Sequence, residues 1–188
     1  MQINKIFDIR KKTIVITGGS GFLGSQYAEG LSKVGANVVI ADINYEICKK
    51  LCTEIKKKFS TDPLPIKLDL TNPKSIERMV KTILKKYETI DVLINNAADQ
   101  GNPKLRKTPF EDFPLKDWNK AIDVNLTGVF LCCQQIGKIM KKQRNGVIIN
   151  ISSTYGIVAP DQRIYGSSGQ NSAAFYAASK SGILNLTR

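Results

Sequence analysis

Three side chains in the last part of the sequence have the types and spacing to move a proton on and off an oxygen atom. Tyr176 and Lys180, in YAASK, are four apart, so on a helix they share one face. Ser153, in NISS, ends an apolar β-branched run, which puts its hydroxyl at the end of a strand. A free phenol ionises near pKa ~10 and is a poor acid–base catalyst at neutral pH. An ammonium one helical turn away and the cationic ring of an oxidised nicotinamide would each favour the phenolate. The chain has no histidine, so an imidazole base is unavailable. Tyr155 and Tyr165 also follow Ser153, but Ala159 and Gly169 stand four residues beyond them, where the lysine is required. The set points to hydride exchange between a hydroxyl and a carbonyl carbon, with Tyr176 handling the proton.

Such chemistry needs a dinucleotide, and the first hundred residues offer a place for one. TGGSGFLG (17–24) follows a short β-branched run and opens a helical pattern. Gly18, Gly21 and Gly24 recur every third residue, which allows a tight turn, close approach of a pyrophosphate and close helix packing. Backbone N–H groups from Ser20 through Phe22 and Leu23 would then face the phosphates. Asp42 ends the next apolar run, NVVIAD, where a carboxylate can accept hydrogen bonds from the adenosine ribose. Its charge would repel a 2′-phosphate, so NAD is expected over NADP. Asp69 and Leu70 follow the third run, and Asn96, Ala97 and Ala98 the fourth, both on the edge where open α/β sheets bind ligands.

Positioning these groups requires a repeated strand–helix alternation, and the hydrophobic pattern supplies it. The expected fold is an α/β doubly wound parallel sheet of Rossmann type, one NAD-binding domain over residues 1–188. Strands are expected at 13–17, 37–42, 64–69, 92–95 and 146–151. Asn44 and Asn72 are expected N-caps, the latter with Pro73 in the first turn. Residues 99–114 read as a polar loop. The helix over 116–142 is apolar on more than one side, so it is expected to pack against a partner as well as the sheet. The last helix begins near Ala173, and the sequence stops inside it with no capping or stop signal. A C-terminal segment carrying the substrate loop is therefore expected to be missing.

Composition removes several alternatives. With 42% hydrophobic and 23% charged residues, the chain reads as a soluble globular protein. No apolar run approaches the ~20 residues of a membrane span, and the start, MQINKIFDIRKK, does not resemble a secretory signal. A cytoplasmic protein with reduced cysteines is expected. Cys48, Cys52, Cys132 and Cys133 form neither a disulfide framework nor a zinc pattern, and no metal is expected. The net charge of +12 raises nucleic-acid binding. However, Lys56–Lys58, Lys85–Lys86 and Lys141–Lys142 fall at the ends of helical patterns, where cations complement the helix dipole, so no nucleic-acid partner is expected.

Taken together, TGGSGFLG, DLT, NNAA, VNLTG, NISS and YAASK resemble the short-chain dehydrogenase/reductase family, over nearly the whole chain from Lys12 to Arg188. The resemblance implies that Tyr176 is the acid–base residue and that Lys180 holds the nicotinamide ribose. It also implies that Ser153 orients the substrate oxygen and that Asn125, in VNLTG, anchors a water relay to Lys180. A small-molecule substrate and a homodimer or homotetramer are further implications. The glycine spacing is similar to that of the sugar-nucleotide epimerase branch, whereas NNAA, NISS and YAASK are similar to the single-domain branch. An NAD-dependent nucleotide-sugar epimerase or dehydratase, and a non-catalytic NAD-binding module, are the alternatives. STYGIVAPDQRIYG resembles members linked to flagellin modification and surface-polysaccharide synthesis. Ser153 and Tyr176 are 23 residues apart, wider than is usual in the family. The intervening residues, among them Asp161, Gln162, Arg163, Ser167, Ser168, Gln170 and Asn171, are expected to form part of a pocket for a sugar or other polar metabolite. Within that stretch Arg163 is the expected holder of a phosphate or carboxylate.

Overall fold

A computed structural model describes residues 7–188. The expectation about a secretory signal falls largely on the first six residues, outside those described. Five strands form one parallel sheet: β1 (Thr13–Thr17), β2 (Asn37–Asp42), β3 (Leu64–Lys67), β4 (Val92–Asn95) and β5 (Val147–Asn150). Their order is β3-β2-β1-β4-β5. The chain leaves β1 toward one side of the sheet and later returns to its other side. A crevice therefore opens at the C-terminal ends of β1 and β4, the position where such sheets bind ligands. Thr17 is in register with Ala41 and with Asn95, so the expected ligand-binding strand ends lie side by side.

Side-chain alternation along the strands splits the core in two. Ile14, Ile16, Val38 and Ile40 face one way and pack with Ala28 of α1 (Phe22–Lys33) and with Cys48, Cys52 and Ile55 of α2 (Tyr45–Phe59). Val15, Val39 and Leu93 face the other way. They meet Ile76, Met79 and Ile83 of α3 (Pro73–Tyr87) and Cys132, Ile136 and Met140 of a long helical stretch. The Asn44 side chain accepts a hydrogen bond from Ile47 N–H, and Asn72 accepts one from Lys74 N–H, so both expected caps form. The clustered lysines occupy the last turns of α2, α3 and the long helix.

That long stretch is not one regular helix. α4 (Leu115–Ile122) runs into a π-turn over Asp123–Thr127, and α5 (Gly128–Gln143) continues from it. The Gly128 N–H donates to the Asp123 carbonyl five residues back. Gly128 lies against Leu70, where a Cβ would stand 2.7 Å from the leucine Cβ. Phe130 and Leu115 remain exposed on its outer side. β3 and β5 are shorter than the sequence predicts, because Leu68 and Asp69 turn toward α3 and Ile151 toward the following loop. At β5, Val147 and Ile149 are 54% and 43% exposed, unlike the fully buried β1. α6 (Ala174–Thr187) carries Tyr176 and Lys180. Among the described residues no helix is long and apolar enough to cross a membrane.

Candidate active site

The Gly-rich turn is shaped by backbone packed on backbone. Gly18 has φ +61°, and a Cβ there would come within 2.7 Å of the Ala97 Cα. At Gly24 an added Cβ would collide with the Gly18 carbonyl. Glycine is thus required twice, once for the left-handed turn and once to let α1 start close beneath it. Thr17 Oγ1 accepts hydrogen bonds from the Asn96 and Ala97 N–H groups, at 3.1 and 3.2 Å. The Asn96 carboxamide donates to the Thr17 and Gly18 carbonyls. These bonds tie the ends of β1 and β4 together beneath the crevice. Thr17 was not singled out from sequence; its place at the end of the first strand is the only signal it carries.

Asp42 is fixed just as firmly. One carboxylate oxygen accepts from Ser20 N–H at 3.2 Å, the other from Asn44 N–H at 3.1 Å. Each oxygen keeps a second lone pair free for a ligand hydroxyl. Asp69 is turned inward on its own loop, accepting from the Thr71 N–H and hydroxyl at 2.9 and 2.7 Å.

Together these strand ends border a groove of about 900 Å³. Gly18, Gly21, Phe22, Leu23, Asp42, Asp69, Leu70, Asn96, Ala97 and Ala98 line it, with Tyr176 and Lys180 at its far side. Ser20 and Gly24 do not line it. They shape the turn, one by bonding Asp42 and the other by admitting α1. Ser152 and Lys120 line it as well, and neither was expected. The residues present fit a dinucleotide: a concave glycine backbone at a helix start, a fixed carboxylate one strand away and a lysine at the far end.

Lys180 is buried, 4% exposed, and its Nζ donates to the Ile151 carbonyl at 2.6 Å. The same Nζ stands 5.8 Å from the centre of the Tyr176 ring. Burial alone pushes the Lys180 ammonium below the ordinary lysine value. Ser153 caps the turn over Thr154–Gly156, its Oγ accepting from Tyr155 N–H at 3.2 Å. Its hydroxyl proton is left to donate elsewhere, and no hydrogen bond joins it to Tyr176 among the described residues. Asn125 sits in the π-turn, 1% exposed. Its carboxamide accepts from Asp99 N–H at 2.6 Å and donates to the Asp99 carbonyl at 2.9 Å, so it clamps the loop after β4. The thiols are set apart from this chemistry: burial pushes Cys48 up to about 11 and Cys52 and Cys132 up to about 12.

A family model for short chain dehydrogenases matches residues 12–188. The chain belongs to that family. It is 34% identical over 186 residues to the 5-keto-D-gluconate 5-reductase of Escherichia coli K12, covering 99% of this chain and 67% of the relative. It is 33% identical over 177 residues to a 3-oxoacyl-[acyl-carrier-protein] reductase of Synechocystis, covering 93% and 64%. The crystal structure of an NAD+-bound xylitol dehydrogenase superposes with a TM-score of 0.83 at 26% identity, covering 95% and 63%. The chain thus spans about two thirds of the length of these proteins.

Beyond Tyr176 lies a second, smaller cavity of about 240 Å³. Its walls come from the loop after β4 and from the end of the stretch between Ser153 and Tyr176. Of the polar residues expected there, Gln170 and Asn171 line it, and so does Tyr165. Arg163 does not. Its side chain is 92% exposed, and its guanidinium pairs with Asp161, two residues earlier, at 2.7 Å. The arginine in the wall is Arg106, from the loop after β4.

Proposed function

We propose that the protein containing this chain is an NAD(H)-dependent oxidoreductase that interconverts a hydroxyl and a carbonyl on a small polar metabolite. One observation carries the reading: Tyr176 lines both the long groove and the small cavity, so it stands where a cofactor and a substrate would meet. When bound, the nicotinamide supplies or accepts the hydride. The phenol Oη holds the proton that the substrate oxygen gains or loses. Lys180 keeps a positive charge 5.8 Å from the ring while anchored to the Ile151 carbonyl, so it can reach a ribose hydroxyl without losing its orientation. Ser153 is assigned the orientation of the substrate oxygen; its Oγ accepts from Tyr155 N–H, and it is Ser152, not Ser153, that borders the groove. Asn125 holds Asp99, and with it the start of the loop that covers both spaces.

The relatives act on substrates as different as a keto-sugar acid and an acyl carrier, so the cavity bears more on the choice of substrate than they do. Its lining by Arg106, Tyr165, Gln170 and Asn171 favours a polar metabolite over a long acyl chain. Association of copies, which the family resemblance implies, is proposed through the α4–α5 stretch, where Phe130 and Leu115 are exposed.

Tyr176→Phe tests the reading. Followed by NADH absorbance, kcat falls by ~10²–10⁴, the range for loss of a general acid–base. The NAD dissociation constant stays within about twofold, since no cofactor-facing charge is lost. Retention of more than about a tenth of the activity would remove Tyr176 from the acid–base role. NAD is also expected to bind at least tenfold more tightly than NADP, about 1.4 kcal/mol, because Asp42 is held in place and repels a 2′-phosphate. Calorimetry with both cofactors checks this, and equal affinities would remove Asp42 from the ribose.

A further inference from the structure

The small cavity carries more information than its size. Phe113 and Phe175 form an apolar wall, their ring centres 5.8 Å apart and tilted by 44°. Gln170, Asn171 and Arg106 also line the space. Arg106 is the one charged side chain among the residues lining this space. Among the described residues it makes no ion pair, in contrast to Arg163, which Asp161 chelates.

Its backbone, however, is tightly held. The Asn171 N–H donates to the Arg106 carbonyl at 2.8 Å. The Asn171 carboxamide donates to the Thr108 carbonyl at 2.6 Å. On the other side of Asn171, Gln162 and Ser172 exchange two hydrogen bonds, side chain to backbone, at 2.9 and 3.2 Å. The inserted stretch is thus closed on itself and fastened by Asn171 to the segment bearing Arg106. The backbone that carries Arg106, an exposed residue at the border of a small space ending at Tyr176, is thereby fixed in place.

We propose that this cavity binds a small polyhydroxy carboxylate, with Arg106 holding the carboxylate and the reacting carbon presented to Tyr176. The inference rests on the oxidoreductase reading above and narrows it to one substrate class. A guanidinium presents paired N–H donors that match the two oxygens of a carboxylate. The carboxamides of Gln170 and Asn171 can serve hydroxyls, and the phenylalanine wall covers the C–H face of the carbon chain. Asn171 is a positioning residue here, acting through the Arg106 backbone.

The test compares three carbonyl compounds with the full-length protein and NADH: L-sorbose, 5-keto-D-gluconate and D-fructose 6-phosphate. The keto acid is expected to show kcat/KM at least tenfold above that of the neutral ketose. Arg106→Ala is expected to raise KM for the acid at least tenfold and to bring the acid-to-ketose ratio close to one. Arg106→Lys restores part of that ratio. Equal kcat/KM for acid and ketose, or an acid KM unaffected by Arg106→Ala, overturns the assignment while leaving the oxidoreductase reading intact. Preferential turnover of the phosphate ester overturns the carboxylate in favour of a phosphate. If none of the three is reduced, calorimetric titration of D-gluconate decides the cavity, and the oxidoreductase reading is decided separately by Tyr176→Phe. Binding that is lost in Arg106→Ala supports the carboxylate site, and absence of binding overturns it.

Discussion

The groove and the small cavity meet at Tyr176 but are built by different means. The groove is made of strand ends and a helix start, with backbone pressed on backbone at Gly18, Ala97 and Gly24. The cavity is made largely of two loops that contain only short helical turns, one closed on itself between Gln162 and Ser172 and fastened to the other by hydrogen bonds at Asn171. Close-packed backbone has no way to yield to an added atom. Loops joined by a few hydrogen bonds can change length and contents at small cost. On the proposed reading, fixed shape lies where the cofactor would bind and freedom lies where the substrate would be distinguished.

That contrast can be broken from either side. The largest effect is expected at the groove. Gly24→Ala puts a methyl group against the Gly18 carbonyl, an overpacking of the kind that costs about 1–3 kcal/mol. NAD affinity should fall at least tenfold and the melting temperature by several degrees, read by calorimetry and thermal unfolding. A variant that binds NAD as well as the parent would show that the turn is softer than its contacts imply. At the cavity, removal of 164–171 is expected to raise the substrate KM at least tenfold while NAD affinity is unchanged. The reciprocal bonds between Gln162 and Ser172 already hold the flanks of that stretch together, so the shortened loop has little gap to close. Unaltered KM and kcat would make the stretch a surface ornament, and the cavity would lose its standing as a substrate site.

The same contrast governs what could be read in advance. The strands, the Gly-rich turn, Asp42 and the Tyr176–Lys180 pair were legible because periodicity and short spacing are local properties of a sequence. Both asparagine caps were legible for the same reason. Arg106 was not. Nothing within its own loop distinguishes it from Lys104 or Lys107, and its position depends on Asn171, 65 residues further along. Arg163 was chosen in its place because it lies in the polar insert, but the nearby Asp161 satisfies it locally. Asn125 was found by resemblance alone, and its partner, the Asp99 backbone, leaves no mark in the residue types on either side. Ser20 belongs to the Gly-rich motif expected to face the phosphates, yet its own N–H serves Asp42 and not the groove.

The π-turn at Asp123–Thr127 has a consequence for the length of the chain as well as its contents. Ala121, Asn125, Val129, Cys132, Ile136 and Met140 are all buried along one line. Five steps there cover 19 residues, about 3.8 per step against 3.6 in a regular α-helix. In a regular helix, Met140 would stand about 100° around the axis from Ala121. The residue absorbed by the turn cancels that angle. It works as a phase correction, letting a single rod offer a carboxamide to the loop at one level and aliphatic side chains to the sheet at the levels beyond. A substitution inside the turn alters one side chain, but loss of any one of its residues would rotate one half of the rod against the other. At that point in the sequence, the number of residues is as much a part of the design as their identity.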